Sequence, residues 1–346
     1  MVSTRITTNM ISRNYQTNLN SSLGGLESAR KQVETGRRFC NSYEDPSASA
    51  KAAILERRYS QNDNYLNSAK NIQNWIYAQE DVGNEISSAS REIVENYSTS
   101  AVSDTNASER ATYAELLRNM QKSMVQSLNS QYANTFVMAG GNGNEAPFKL
   151  EGNTLTYRGI DVSDPNNQEI LDKLANEHSF IDLGFGLTNE NGEITEATAF
   201  DTALPGIKLI GFGVNNGPDM VLDGGTPEER QVPKNLVVLA GEMAAELEKG
   251  ENFDRETYGK LWDQFHESYD QLTDEFIGLG TKENMLTTTI DRLEKEKLSI
   301  TEQFDTAVNI DPAEAITNYS WATYVYNTAL KVGTSIISPS LLDFMR

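Results

Sequence analysis

Apolar residues recur at steps of three, four and seven along most of the chain, the pattern of helices that bury one stripe along their length. From Ser12 to Val33 the stripe is Leu19, Leu23, Leu26 and Val33, interrupted by Gly24 and Gly25. Residues 35–44 form a basic, turn-prone connector, and Asp45-Pro46 restarts a helix with an N-cap residue and a proline suited to the first helical position. Tyr65, Ala69, Ile72, Ile76, Gln79, Ile86, Ile93 and Tyr97 continue the stripe. The spacing therefore predicts a helix from Pro46 to about Ser98, roughly 80 Å long at about 1.5 Å per residue. After a loop over 98–107, Asn106-Ala107-Ser108-Glu109 reads as a capping box. It opens a third helix through Leu116, Met120, Met124, Leu128 and Tyr132, which ends at Gly140-Gly141-Asn142-Gly143-Asn144.

The pattern changes between Pro147 and Val232. Leu155-Thr156-Tyr157-Arg158 alternates like a strand, Phe180–Leu187 and Ile207–Val214 fit further strands, and Ile170–Glu177 fits a short helix. A helix then runs from about Pro233 to Lys249 on Leu236, Leu239, Met243 and Leu247. Beyond it Leu279, Leu286, Leu293, Ile300 and Ala307 lie seven apart, with Ile290 and Phe304 between them. Asp311-Pro312-Ala313-Glu314 starts a last helix with Ile316, Thr323, Leu330, Ile337 and Leu341 at heptad positions, and Pro339 is expected to end regular helix.

This layout predicts an elongated, multi-layer α+β protein. Residues 1–45 and 309–346 form an inner layer of terminal helices and connector. Residues 46–146 and 250–308 form a long helical rod, and 147–249 an inserted β-rich acidic domain with a closing helix. In the rod the seam is Tyr65, Ile72, Ile86 and Ile93 against Leu279, Leu286, Ile290, Leu293, Ile300 and Phe304. Leu19, Leu23, Leu26 and Val33 are expected to pair with Ile316, Leu330, Ile337, Leu341, Leu342 and Phe344 as an assembly interface.

Composition supports assembly over chemistry. Hydrophobic residues are 38% of 346, low for a compact chain and fitting for long helices with much surface. The net charge of −21 argues against nucleic acid as a partner, because phosphate binding needs clustered cations. Acid is concentrated in residues 141–258, with 22 acidic against 8 basic side chains, as a solvated surface that resists aggregation. The first 26 residues hold only Arg5 and Arg13 as charges, and the last 41 hold five, so both ends suit packing against copies or partners. No run approaches a membrane span and no apolar secretory signal follows Met1.

No residue pattern carries a reaction. Gly140-Gly141-Asn142-Gly143 follows a helix and lacks the Lys-Ser/Thr of a phosphate loop. Cys40 is the one cysteine, which excludes an intramolecular disulfide. His178 beside Glu177 is a weak metal candidate, His266 lies within a helical stretch, and Glu228-Glu229 reads as a solvated turn. Trp75, Trp262 and Trp321 fall on helices as packing residues. The expectation is a non-enzymatic protein with no catalytic residues, metal site or cofactor.

Several segments resemble a known family. Arg5-Ile6-Thr7-Thr8-Asn9-Met10, Thr35-Gly36-Arg37-Arg38 and Glu44-Asp45-Pro46-Ser47-Ala48-Ser49-Ala50 resemble the bacterial flagellin family, as does the end Ser340-Leu341-Leu342-Asp343-Phe344-Met345-Arg346. Pro46 in place of the usual Ala-Ala-Gly run, with Ala139-Gly140-Gly141 and Ala146-Pro147-Phe148, resembles the branch of hook-associated proteins of type 3, the hook–filament junction. The resemblance implies a structural ring adapting the hook to the filament, with self, the other junction protein, flagellin and an export chaperone as partners. It also implies an extracellular place in the flagellum, reached through the flagellar secretion channel without a cleaved signal. Terminal helices disordered in the free subunit would fold and pair on assembly. A minor flagellin, a secreted protein with flagellin-like arms and an active middle domain, and a cytosolic coiled-coil scaffold remain as alternatives.

Overall fold

A computed structural model of the chain describes residues 8–190, 193–195, 198–215, 220, 222 and 231–344, with the side chains of 8, 9, 103, 190, 193 and 335–344 outside that description. Helix α1 spans Thr8–Thr35, α2 Pro46–Asn96, α3 Thr99–Ser103 and α4 Ala107–Leu128. A hairpin of β1 (Gln131–Tyr132) and β2 (Thr135–Phe136) follows. Strands β3 (Phe148–Glu151), β4 (Thr154–Tyr157) and β5 (Ile160–Asp161) form an antiparallel sheet in that order, with Phe148 opposite Tyr157. Next come α5 (Gln168–Ala175), β6 (Phe180–Ile181), β7 (Asn189–Glu190), β8 (Glu193–Ile194) and β9 (Phe200–Asp201). β6 pairs with β9 and β7 with β8, all antiparallel. The chain closes with α6 (Gly206–Ile210), α7 (Leu236–Glu248), α8 (Arg255–Val308) and α9 (Pro312–Phe344).

The helix starts follow the capping chemistry of the sequence. Asn106 accepts from the Glu109 N–H at 2.9 Å while the Glu109 carboxylate accepts from the Asn106 N–H at 3.2 Å, a complete capping box. Asp45 Oδ1 accepts from Ala48 N at 2.9 Å at the start of α2, and Asp311 Oδ1 accepts from Ala313 N at 2.7 Å at the start of α9.

Other elements depart from the sequence pattern. Residues 207–214, expected as a strand, hold α6 instead: a short run of buried apolar residues fits either element. The helix is selected by Gly206, whose missing side chain admits Met138 and Phe148 and whose N–H donates to Met138 O at 2.8 Å. The strand expected over 180–187 shrinks to β6, because Asp182 Oδ1 takes the Gly184 N–H at 2.8 Å and Gly184 and Gly186 adopt positive φ. α4 stops at Leu128 rather than near Gly140, since Ala133 and Asn134 in the left-handed region close the β1–β2 hairpin. The loop over 98–107 contains α3, capped by Ser98, and α9 continues past Pro339 to Phe344.

The chain divides into two compact units, residues 1–63 with 294–346 and residues 64–293. The segment 147–249 falls within the second unit. Its Phe148, Leu155, Leu171 and Ile207 belong to the same buried cluster as Ile72 and Ile86 of α2 and Leu279 and Leu286 of α8. The second unit is therefore one continuous core, in which α4 lies along α7. In the first unit Leu55, Ile300, Ala307 and Val308 form a small core, packed by Phe39, Ala52 and Phe304, while α1 lies along α9.

Candidate assembly surface

The pairing of α1 with α9 rests on small side chains. Along α1 the covered positions are Tyr15, Leu19, Ser22, Leu26 and Ala29, at heptad steps of four and three, and only Ala29 is fully buried. Along α9 they include Ala315, Ala322, Tyr326, Ala329 and Gly333. This second line is displaced by one residue from the one expected through Ile316, Thr323 and Leu330. One residue rotates a helix face by about 100°, so the seam carries alanine and glycine and the larger side chains point elsewhere. At Gly333 a side chain would overlap the Tyr15 ring, which shows how closely the two helices approach.

Leu23, Val33, Ile316 and Leu330 are each exposed. Met10, Ile11, Tyr319, Trp321, Tyr324 and Val332 are exposed beside them, Trp321 at 66% and stacked on Tyr324 with ring centroids 5.7 Å apart. Trp321 also walls a shallow groove with Ser22, Gly25, Ser28, Ala29, Asn318 and Ala322. Scattered apolar surface is ordinary on a folded protein, but a set of this size on one helix pair marks an interaction surface. The side chains of Ile337, Leu341, Leu342 and Phe344 lie outside the described residues. Sequence periodicity missed the Ala-Ala-Gly seam, whose only signal is Ala315, Ala322 and Ala329 at seven-residue spacing.

The seam residues of the long helices are covered. Ile72, Ile86, Ile93, Leu279, Leu286, Ile290 and Leu293 are buried in the second unit, with Tyr65 half-buried and its hydroxyl donating to Asp182 Oδ2 at 3.2 Å. Ile300 is buried and Phe304 half-buried in the first unit.

The residues that carry the family resemblance sit at turns and junctions. Gly36 takes φ +67° after α1, and its carbonyl accepts from Ile310 N at 3.0 Å. Arg37 bridges to Asn309 through the backbone, so the connector is tied to the α8–α9 turn. Pro46 is the first residue of α2, and Arg5 lies outside the described residues. Gly140, at φ +69°, passes so near Glu177, Tyr157 and Pro205 that a side chain there would crowd all three. The Pro147 carbonyl accepts from Arg158 N at 2.7 Å. Phe148 is buried against Tyr157, and its backbone is clamped by the Asn129 amide at 3.0 and 2.8 Å. Burial pushes the Tyr157 phenol up to about 12.

The polar candidates are held in structural pairs. Glu177 accepts from Arg158 Nη1 at 2.8 Å and from Gly141 N at 2.9 Å. His178 Nδ1 lies 3.1 Å from Asp201 Oδ2, which also takes Lys282 Nζ at 3.2 Å. Burial raises the Asp201 carboxyl, but the N–H groups of Ser179 and Ala203 with His178 and Lys282 outweigh it and hold the group below its usual range. His266 stacks on Trp262, and Cys40 is exposed, 3.7 Å from the Thr35 hydroxyl. Glu228-Glu229 lies outside the described residues. Among the described residues no group of three or more His, Cys, Asp or Glu could hold a metal ion, and no helix is long and apolar enough to cross a membrane.

The sequence matches no protein-family model and no curated protein sequence. Solved structures do match the fold. A Vibrio parahaemolyticus protein described as flagellar hook-associated aligns with TM-score 0.56 at 16% identity, over 77% of this chain and 100% of its own. Flagellar hook-associated protein 3 of Legionella pneumophila aligns with TM-score 0.54 at 10% identity, over 73% and 98%. FlgL of Xanthomonas campestris aligns with TM-score 0.50 at 13% identity, over 72% and 98%. At such identities the likeness establishes a shared α+β fold, with long helices from both ends of the chain and a small sheet region between them.

Proposed function

We propose that this chain is a structural subunit of the bacterial flagellum that forms the hook–filament junction ring, adapting the hook to the flagellin filament. The observation that carries this reading is the uncovered apolar face on α1 and α9. A helix pair held by alanine and glycine and displaying Trp321, Tyr324, Ile316 and Leu330 gains most by packing between copies and partners. The fold shared with hook-associated proteins gives that face its biological setting. The partners are neighbouring copies in the ring, the other junction protein and flagellin, with an export chaperone before assembly. The protein acts outside the cell, after export through the flagellar channel. Its work is mechanical, and the polar pairs around Glu177 and Asp201 hold the fold.

In one layer Leu19 and Leu26 close each helix pair, while Leu23, Val33, Ile316 and Leu330 meet neighbours. Residues 147–249 face outward. Leu330→Asp tests the assignment, because Leu330 is 40% exposed and its replacement is expected to leave the free subunit folded, which circular dichroism checks. Cells carrying Leu330→Asp are expected to lose filaments and shed flagellin. Normal junctions with this variant would refute the inner-layer role. A second measurement is the molar ratio of this chain to the filament protein in intact flagella. A trace amount, with filaments lost on deletion of the chain, supports a junction ring. A filament-scale amount would make the chain a minor flagellin instead, and its absence from flagella would overturn the reading.

A further inference from the structure

The second unit holds a cavity of about 240 Å³ bounded by β4, β5 and α7. Its polar lining comes from Asn153, Thr154, Asp161, Ser163, Gln231 and Glu242, and Val214 and Val238 add apolar wall. Local structure holds the two carboxylates in place. Asp161 Oδ1 accepts from Ser163 N at 2.9 Å, and the Asp161 carbonyl accepts from Asn167 Nδ2 at 3.1 Å. Between them, Val162 N donates to Leu155 O at 3.1 Å and Val162 O accepts from Gly213 N at 2.8 Å. On α7, Glu242 Oε1 accepts from Asn153 Nδ2, and Asn153 is itself fixed by Arg118 Nη1 at 2.6 Å.

The lining is rich in acceptors and holds no cation. No Lys or Arg is among the described residues that line it, and neither Asp161 nor Glu242 has an ion pair among the described residues. Arg118 is engaged by Asn153 and, at 3.1 Å, by Glu248. The Ser163 hydroxyl oxygen is buried and meets no hydrogen-bond partner, a cost that a group entering the cavity would return. Carboxylates beside a partly enclosed space favour positive charge within it. Among the described residues no group of three or more His, Cys, Asp or Glu could hold a metal ion, so the cation that fits is organic. A guanidinium offers five N–H donors in a planar fork that matches carboxylates, and it is more weakly hydrated than an ammonium, which suits the apolar walls.

We propose that this cavity binds a guanidinium group on a short aliphatic stem, from a free arginine-like solute or from an arginine side chain presented by a partner. The fork engages Asp161 and Glu242, Ser163 and Thr154 accept the remaining N–H groups, and the stem lies along Val214 and Val238. The cavity is smaller than the roughly 300–1,000 Å³ of drug-sized sites, so one such group and its stem fill it. The site lies wholly within the second unit and does not rest on the flagellar reading.

The test is calorimetric titration of the full chain at low salt with L-arginine and with the peptide Gly-Arg-Gly, using citrulline as the uncharged analogue. One saturable site is expected, with citrulline at least about tenfold weaker. Asp161→Asn and Glu242→Gln keep an acceptor oxygen and should each weaken binding about tenfold or more. Ser163→Ala should weaken it a few-fold while raising the Tm of the free chain, because it removes the unpaired hydroxyl. Binding of the peptide alone assigns the group to a partner's side chain, and binding of free arginine as tightly as the peptide assigns it to a solute. No saturable binding of either probe, citrulline binding as well as arginine, or affinity indifferent to both carboxylate substitutions would overturn the proposal. Because no flagellar component is present, failure of the junction reading leaves this result unchanged.

Discussion

Gly241 lies where α7 packs on α4, and replacing it with alanine should destabilise the second unit despite improving helix propensity. A Cβ at 241 would fall on Gln121 Nε2 and Asn153 Oδ1, well inside contact distance. Gln121 is 1% exposed and donates to Val237 O at 3.0 Å, so its amide has no solvent to turn towards. Asn153 in turn accepts from Arg118 Nη1 at 2.6 Å and donates to Glu242, so its displacement disturbs a network. Alanine gains about 1 kcal/mol over glycine within a helix. Against this, leaving a buried amide unpaired costs about 1–3 kcal/mol, and overpacking a filled interface costs about 1–3 kcal/mol more. The balance is a loss of about 1–5 kcal/mol, centred on ~3 kcal/mol. For a unit of this size the central value lowers Tm by roughly 6–12 °C. The assay is thermal unfolding of the full chain followed by near-ultraviolet circular dichroism. Gly278→Ala in α8 is the control: nothing lies within 4 Å of its Cβ position, so propensity alone acts and Tm should rise slightly. A Gly241→Ala chain as stable as Gly278→Ala would refute the close approach of α4 and α7.

Two further outcomes follow from particular residues. Asp201 is held below its usual range in the folded chain, so its stabilising contribution is present above the ordinary aspartate pKa and is lost as pH falls through the folded value. Unfolding midpoints measured between pH 6 and 3 should fall towards acid, and Asp201→Asn should flatten the lowest part of that curve; an unchanged acid limb would refute the role given to its hydrogen bonds. Hydrogen exchange in the free subunit should be fast along α1, where Ala29 is the only buried side chain among the described residues, and slow for α7, where Leu236, Leu239, Met243 and Leu247 are fully buried. Equal protection of both helices would favour a scaffold with ordered ends over a subunit that orders on assembly.

Much of the helical framework was legible from one-dimensional pattern. The starts of α2, α4 and α9 are local events, decided by Asp45, Asn106 and Asp311 within four residues of each helix. The stripes through Ile72, Ile86, Leu279 and Leu286 are likewise long enough that one buried face is unambiguous. What the sequence could not decide was which partner a face meets. The short run Ile207–Ile210 became a helix because Gly206 admits Met138 and Phe148, a contact between segments about sixty residues apart. The one-residue displacement of the α9 seam has the same origin. Heptad counting follows the largest side chains, Ile316 and Leu330, whereas close packing of α1 on α9 selects Ala322, Ala329 and Gly333 and leaves the large ones outside. Periodicity and capping are properties of a single segment and are written in its sequence. The assignment of faces depends on the size of the opposing surface, and only the tertiary structure decides that.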